Sequence, residues 1–192
     1  MRSSTRRVGV IGVLLMVTAT QPRATRALAA TPPIIGVAPK ACAGSTHFVS
    51  LPNLFGDGKA YGDFIGGDPV WIRGFVGPHA TLHARYYELG HGWEAGMMFA
   101  LKRGFSHTAT LRGGSMHGHA PLWFDAVENG APNGETRTLT LAAKRQKAFP
   151  GGAGPGQWPT FPGGIVVPRA GCYYVEATWP GGAWRITFAA GR

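Results

Sequence analysis

Glycine and proline punctuate this chain so densely that long helices have little room to form. Its 192 residues include 30 Gly and 15 Pro. Each Gly in a helix interior costs about 1 kcal/mol relative to Ala, and each Pro about 3 kcal/mol. A disordered chain is excluded as well, because only 15% of residues are charged while 11% are aromatic. The apolar residues fall in short, often alternating runs between turn signals, the pattern of a sandwich or barrel.

Those runs predict eight to ten strands. They are His47–Leu51, Val70–Phe75, Thr81–Leu89, Trp93–Leu101, Thr108–Arg112, Leu122–Phe124, Thr136–Ala142, Ile165–Val167, Cys172–Thr178 and Trp184–Phe188. In Thr81–Leu89, Leu82, Ala84 and Tyr86 share one face, and His83, Arg85 and Tyr87 the other. Trp93–Leu101 is the most apolar run, and Gly96 within it favours a buried strand over a short helix. Residues 53–69 and 150–164 are so rich in Gly, Asp and Pro that both read as long loops. Trp179-Pro180-Gly181-Gly182-Ala183 reads as a hairpin connection. The expected fold is all-β: one antiparallel β-sandwich with long Gly/Pro loops.

The N-terminus carries an export pattern. Arg6-Arg7 precede an apolar run from Val8 to Ala19, and Ala27-Leu28-Ala29 supplies a small-residue cleavage site. The expected organisation is a cleaved signal peptide at 1–29, an extended lead-in at 30–46 holding Pro32, Pro33 and Pro39, and a β-sandwich domain at 47–192. A membrane anchor needs roughly 20 apolar residues, and Gln21, Pro22, Arg23 and Arg26 cut this run short. Thr5-Arg6-Arg7-Val8 fits the twin-arginine route loosely, so both export routes stay open. Cys42 follows Pro39-Lys40-Ala41, which is no lipid-anchor box. The full chain has a formal charge of +10; losing Arg2, Arg6, Arg7, Arg23 and Arg26 leaves 14 basic residues against nine acids, or +5. Half of the excess basicity is thus an export label, and a nucleic-acid partner is not expected. The remainder suits weak attraction to anionic envelope polymers.

Two cysteines, Cys42 and Cys172, make a lone pair. In an oxidising compartment its simplest state is a disulfide. Such a bond would close a loop worth about 4–5 kcal/mol in the chain-entropy model. The rival reading, a free thiol or metal ligand, finds no neighbouring Cys or His at ligand spacing.

The C-terminal pattern Pro168-Arg169-Ala170-Gly171-Cys172-Tyr173-Tyr174-Val175, a turn, then Trp184-Arg185-Ile186-Thr187-Phe188 resembles the ending of a group of small secreted bacterial β-sandwich proteins. These are similar to immunoglobulin-like domains and end in Pro-x-x-Gly-Cys-aromatic-x-Val. Cys42, Val70-Trp71-Ile72, Met98-Phe99-Ala100-Leu101 and Thr110-Leu111-Arg112-Gly113 match further parts of that pattern. The resemblance implies an immunoglobulin-like sandwich and no particular activity.

Catalytic signatures are missing. Ser45, Ser50, Ser106 and Ser115 lie in no Gly-x-Ser-x-Gly, and no His-Glu-x-x-His, phosphate loop or dinucleotide fingerprint appears. An envelope hydrolase is therefore the weakest functional class. Histidine supports a competing one, a periplasmic copper- or zinc-binding protein. His117 and His119 lie at i, i+2 beside Met116, and His79 and His83 at i, i+4, spacings that share a side within a strand. Asp57, Asp63 and Asp68 lack the repeated Asp-x-Asp of a calcium loop and read as turn residues. Trp158 and Trp179 sit among Pro and Gly, where a ring can stack on a sugar or a protein partner. The leading expectation is a non-enzymatic, monomeric binding or interaction module without a cofactor. Its partner would be an envelope or extracellular protein or glycan.

Overall fold

The computed structural model describes residues 35–40, 42, 47–77, 79–84, 86–88, 91–128, 131–143 and 157–192. The expected signal segment lies outside them, as does the basic run Lys144-Arg145-Gln146-Lys147. Thirteen strands are present among the described residues. The larger sheet orders β1 (Val49–Pro52), β2 (Ala60–Gly67), β3 (Val70–Arg73), β6 (Gly92–Leu101), β11 (Thr160–Val167), β8 (Trp123–Glu128) and β9 (Ala131–Thr136). A short β5 (Tyr86–Glu88) pairs with the first residues of β6, beyond the reach of β3. The smaller sheet orders β10 (Leu139–Ala142), β7 (Thr108–Ser115), β12 (Gly171–Trp179), β13 (Gly182–Gly191) and β4 (Thr81–His83). Neighbours are antiparallel except β4, which runs parallel to β13.

Strand alternation builds the core between the sheets. The larger sheet contributes Ile65, Val70, Ile72, Ala95, Met97, Phe99, Phe124, Ile165 and Val167; the smaller contributes Leu82, Leu111, Leu141, Tyr173, Val175 and Phe188. Phe99 meets Phe124 edge-on at 6.2 Å, and Phe75 meets Phe188 at 4.9 Å. Tyr173 is buried, and its hydroxyl donates to the Arg169 carbonyl four residues upstream at 2.7 Å. That bond resembles the tyrosine corner of immunoglobulin-like sandwiches, shifted to just after the cysteine. Burial raises the Tyr173 phenol above its ordinary 10.0.

Val70-Trp71-Ile72 is buried throughout because this part of the larger sheet is covered on both faces. Trp71 packs outward with Leu51, Leu54, Phe64 and Ala100 in a second cluster. The segment after β1 and the one before β11 fold over it, joined by Trp158 N donating to Leu54 O at 3.0 Å and Gln157 Nε2 to Phe55 O at 2.8 Å.

The Cys42–Cys172 disulfide forms, with Cα atoms 5.7 Å apart. It ties the lead-in to β12. The lead-in also holds on by itself: Ile35 is 5% exposed in the main core, and Arg192 N donates to Gly36 O at 3.1 Å.

Four expectations need correction. Residues 53–69 are not all loop, since β2 crosses them, fixed by pairing to β1 on one side and β3 on the other despite poor strand propensity. Thr81–Leu89 is not one strand: β4 joins the smaller sheet and β5 the larger. Thr136–Ala142 likewise divides, with Thr136 ending β9 and Leu139 opening β10. The Thr136 hydroxyl accepts from Thr138 N at 3.3 Å and donates to Thr138 O at 3.1 Å, a local turn that carries the chain between sheets. The end of 150–164 is also strand. In β11, Pro162 pairs with β6, while the ladder to β8 begins only at Gly163, so the proline has a neighbour on one side alone. Gly164 then sits under the Glu94 carboxylate, where a Cβ would collide with it.

Candidate ligand groove

Three turns meet at one end of the sandwich. They are the β2–β3 turn at Asp68-Pro69, the β6–β7 loop from Lys102 to Phe105, and the β12–β13 hairpin at Pro180-Gly181. Lys102 N donates to Pro69 O at 2.8 Å, locking the first two together. Trp184 locks the third: its Nε1 donates to Gly67 O at 3.2 Å and Val70 O at 3.0 Å. Between the turns lies an open groove of ≈ 540 Å³, lined by Asp68, Pro69, Lys102, Arg103, Phe105 and Trp179 among others. Ligand sites run from about 300 to 1,000 Å³ and combine an apolar lining with few polar groups.

Trp179 is the half-buried aromatic wall of this groove, packed from behind on the main core. Its indole lies against Gly182, where an added Cβ would stand 2.8 Å from Cζ2. The hairpin glycine is therefore what lets the ring lie down. Among the described residues no acceptor meets the Trp179 Nε1, in contrast to the doubly bonded Trp184. Phe105, half-buried, adds a second apolar surface beside Pro69 and Pro180. The rim carries both charge signs. Lys102 Nζ pairs with the Asp68 carboxylate, with side chains 52% and 56% exposed. An exposed pair of that kind contributes at most about 1 kcal/mol, so a ligand can replace either partner at little cost.

The other sequence candidates are placed as follows. Trp158 is half-buried in the outer cluster, edge-on to Trp71 at 5.1 Å, and caps that cluster away from the groove. His117 and His119 flank Gly118 in the β7–β8 turn rather than sharing a strand face, with the Ser115 hydroxyl accepting from His117 N at 3.2 Å. Met116 lies in the same turn; its backbone N donates to Cys172 O at 2.8 Å. His79 belongs to the turn before β4 and His83 ends that strand, so their i, i+4 spacing does not bring them to one side of a strand. Among the described residues no three His, Cys, Asp or Glu side chains gather around a common point. Asp57, Asp63 and Asp68 are likewise dispersed. Asp57 accepts from the Tyr61 hydroxyl at 2.5 Å, which lowers the Asp57 carboxyl from its ordinary value and raises the Tyr61 phenol.

A second polar cluster lies on the outer face of the larger sheet. His91 stacks on Trp123 with ring centres 3.8 Å apart, and the Arg137 guanidinium lies 4.9 Å from the same indole. His91 Nδ1 contacts Glu135 Oε2, while Asp125 Oδ1 is buried without a partner among the described residues. These contacts pin the turn before β6 to β8 and β9.

The sequence singled out Trp179 by its Pro/Gly setting, and the structure places it in the lining of the groove. Sequence reasoning missed Asp68, Lys102, Arg103 and Phe105, because no local signal connects three turns so distant along the chain.

Among solved structures the chain is similar to the ASH / PapD-like domain of human CEP192 (PapD-like domain 7). The identity is 13%, covering 64% of this chain and 84% of that chain, with a TM-score of 0.29. No family model and no curated protein matches the chain.

Proposed function

We propose that this chain is an exported, non-enzymatic interaction module of the cell envelope or its exterior, and that it holds a glycan in the groove beside Trp179. Export is supported by the basic-apolar-small N-terminal pattern and by the disulfide, which suits an oxidising compartment. Among the described residues no helix is long and apolar enough to cross a membrane. The one observation that carries the reading is the Trp179 indole. It is a flat apolar surface with a donor that no described residue uses, set between rim groups of both charge signs. A pyranose ring presents the complement: an apolar face of C–H groups, and hydroxyls that accept from the indole N–H and bond to Asp68, Lys102 and Arg103.

The test is a glycan array probed with labelled wild-type protein, Trp179→Phe and Gly182→Ala. Trp179→Phe keeps a ring but removes the N–H, and Gly182→Ala displaces the indole. Losing the stack or its hydrogen bond is worth about 1–2 kcal/mol, or roughly tenfold in affinity. The expected result is one glycan class retained by wild type and reduced about tenfold in both variants. Retention that ignores both substitutions, or no glycan retained at all, refutes the assignment.

A further inference from the structure

We propose a second, independent binding site, a slot at the far end of β3 from the groove that takes an alkylammonium group. The slot measures ≈ 360 Å³ and is lined by Phe48, Asp63, Phe75, Val76 and Gly77. Among the described residues, every lining residue but one is apolar or Gly. The exception is placed there by a backbone irregularity. Val49 pairs with Phe64 and Leu51 with Tyr61, so Gly62 and Asp63 together oppose the single residue Ser50. This is a β-bulge, a device that redirects a side chain out of the regular alternation. Asp63 is left-handed at φ 65, a conformation uncommon for any residue other than Gly. The extra residue and the left-handed backbone together place Asp63, itself exposed, in the lining of the slot.

Among the described residues that carboxylate makes no hydrogen bond or ion pair. The nearby charged and titratable groups make contacts of their own or stand in solvent, as His47 does beside Phe48. Arg73 lies over the Phe64 ring at 5.9 Å, Asp57 bonds Tyr61, and His79 is exposed in the following turn. In the slot wall Val76 is 47% exposed, one of the few large aliphatic side chains open to solvent among the described residues. A lone carboxylate at the edge of an apolar and aromatic slot complements a cation on an apolar stem. The stem covers Val76 and Phe48, and the ammonium reaches Asp63 with aromatic rings beside it. A neutral alkyl chain lacks the ion pair, and an alkyl carboxylate is repelled.

The experiment is an amide NMR titration of the disulfide-intact protein with n-hexylammonium, n-hexanol and hexanoate. The expected result is saturable shifts at Asp63, Val76 and Gly77 with n-hexylammonium, at least tenfold tighter than n-hexanol, and none with hexanoate. Asp63→Asn, which keeps the shape and tolerates the left-handed backbone, weakens binding at least fivefold. Asp63→Gly abolishes it while leaving the melting temperature unchanged or higher, because Gly relieves the left-handed strain. A merely structural aspartate would lower that temperature. Trp179→Phe leaves the titration unaltered, which separates this site from the groove. Equal binding of n-hexanol, indifference to Asp63→Asn, or shifts elsewhere on the surface overturns the proposal. A capped lysine peptide moving the same amides identifies a partner's lysine as the source of the cation. A lysine peptide that leaves them still while n-hexylammonium binds identifies a free amine.

Discussion

Replacing both Cys42 and Cys172 with Ser tests how much of this fold rests on one crosslink. The bond joins residues 130 apart in sequence. Closing a loop of that length removes about 17 cal/mol/K of chain entropy from the unfolded state, or about 5 kcal/mol at 25 °C. The native state has little to lose in exchange. Both cysteines are only half-buried, and the lead-in stays docked through Ile35 and through Gly36 O bonding Arg192 N. The effect therefore falls on the unfolded ensemble, and 4–5 kcal/mol is about a third or more of a domain's usual stability. With a urea slope of about 2 kcal/mol/M, the unfolding midpoint drops by about 2 M. Urea titration followed by tryptophan fluorescence, with wild type kept oxidised, reads this directly. A drop of less than about 0.5 M at unchanged slope refutes the reasoning, and would mean that the unfolded chain is already compact without the crosslink.

Two further substitutions probe how the sheets are held together. Tyr173→Phe removes the bond to Arg169 O and costs about 1 kcal/mol at pH 7. Because burial raises the Tyr173 phenol, the unfolded chain ionises first. Wild-type stability conferred by this group is complete below pH 10 and is lost as pH rises through the folded value. The wild-type and Phe curves of melting temperature against pH should therefore converge above pH 10; parallel curves rule the burial effect out. Trp184→Phe strips a donor shared by Gly67 O and Val70 O and should cost about 1–3 kcal/mol, with faster amide exchange in the β2–β3 turn. A cost below about 0.3 kcal/mol in urea titration rules that anchor out.

Where a run of residues carried its own alternation, the strand was readable in advance. Trp93–Leu101 became β6 with one residue added, and Cys172–Thr178 became β12 with one added at each end. The failures share a cause. β2, β9 and the first half of β11 contain Gly, Pro, Asp or Asn in numbers that forbid a strand on local grounds. They are strands because neighbours supply the hydrogen bonds on one or both sides, information that no local window contains. Thr81–Leu89 failed for the opposite reason. Its alternation is real, with Leu82 and Ala84 both buried, yet nothing in it marks the point where the chain leaves one sheet for the other.

The candidate sites divide in the same way. That Trp179 lines a groove was foreshadowed by its place between turn residues, where a tryptophan has little local cover. Its partners were not, since Phe105 and Asp68 reach it only through the stacking of three turns. The Asp63 slot was invisible to sequence reasoning, which saw a turn aspartate. A bulge is a mismatch between two strands, and it exists only once both are paired.

By itself the sequence determined the all-β class, through breakers too frequent for helices, and the Cys42–Cys172 pairing, through there being no other cysteine. The tertiary structure decided which sheet each strand joined, which tryptophan caps the outer cluster and which lines the groove, and which distant turns meet there. Composition and local alternation act over a few residues, whereas sheet partnership and groove formation depend on segments far apart in the chain meeting in space.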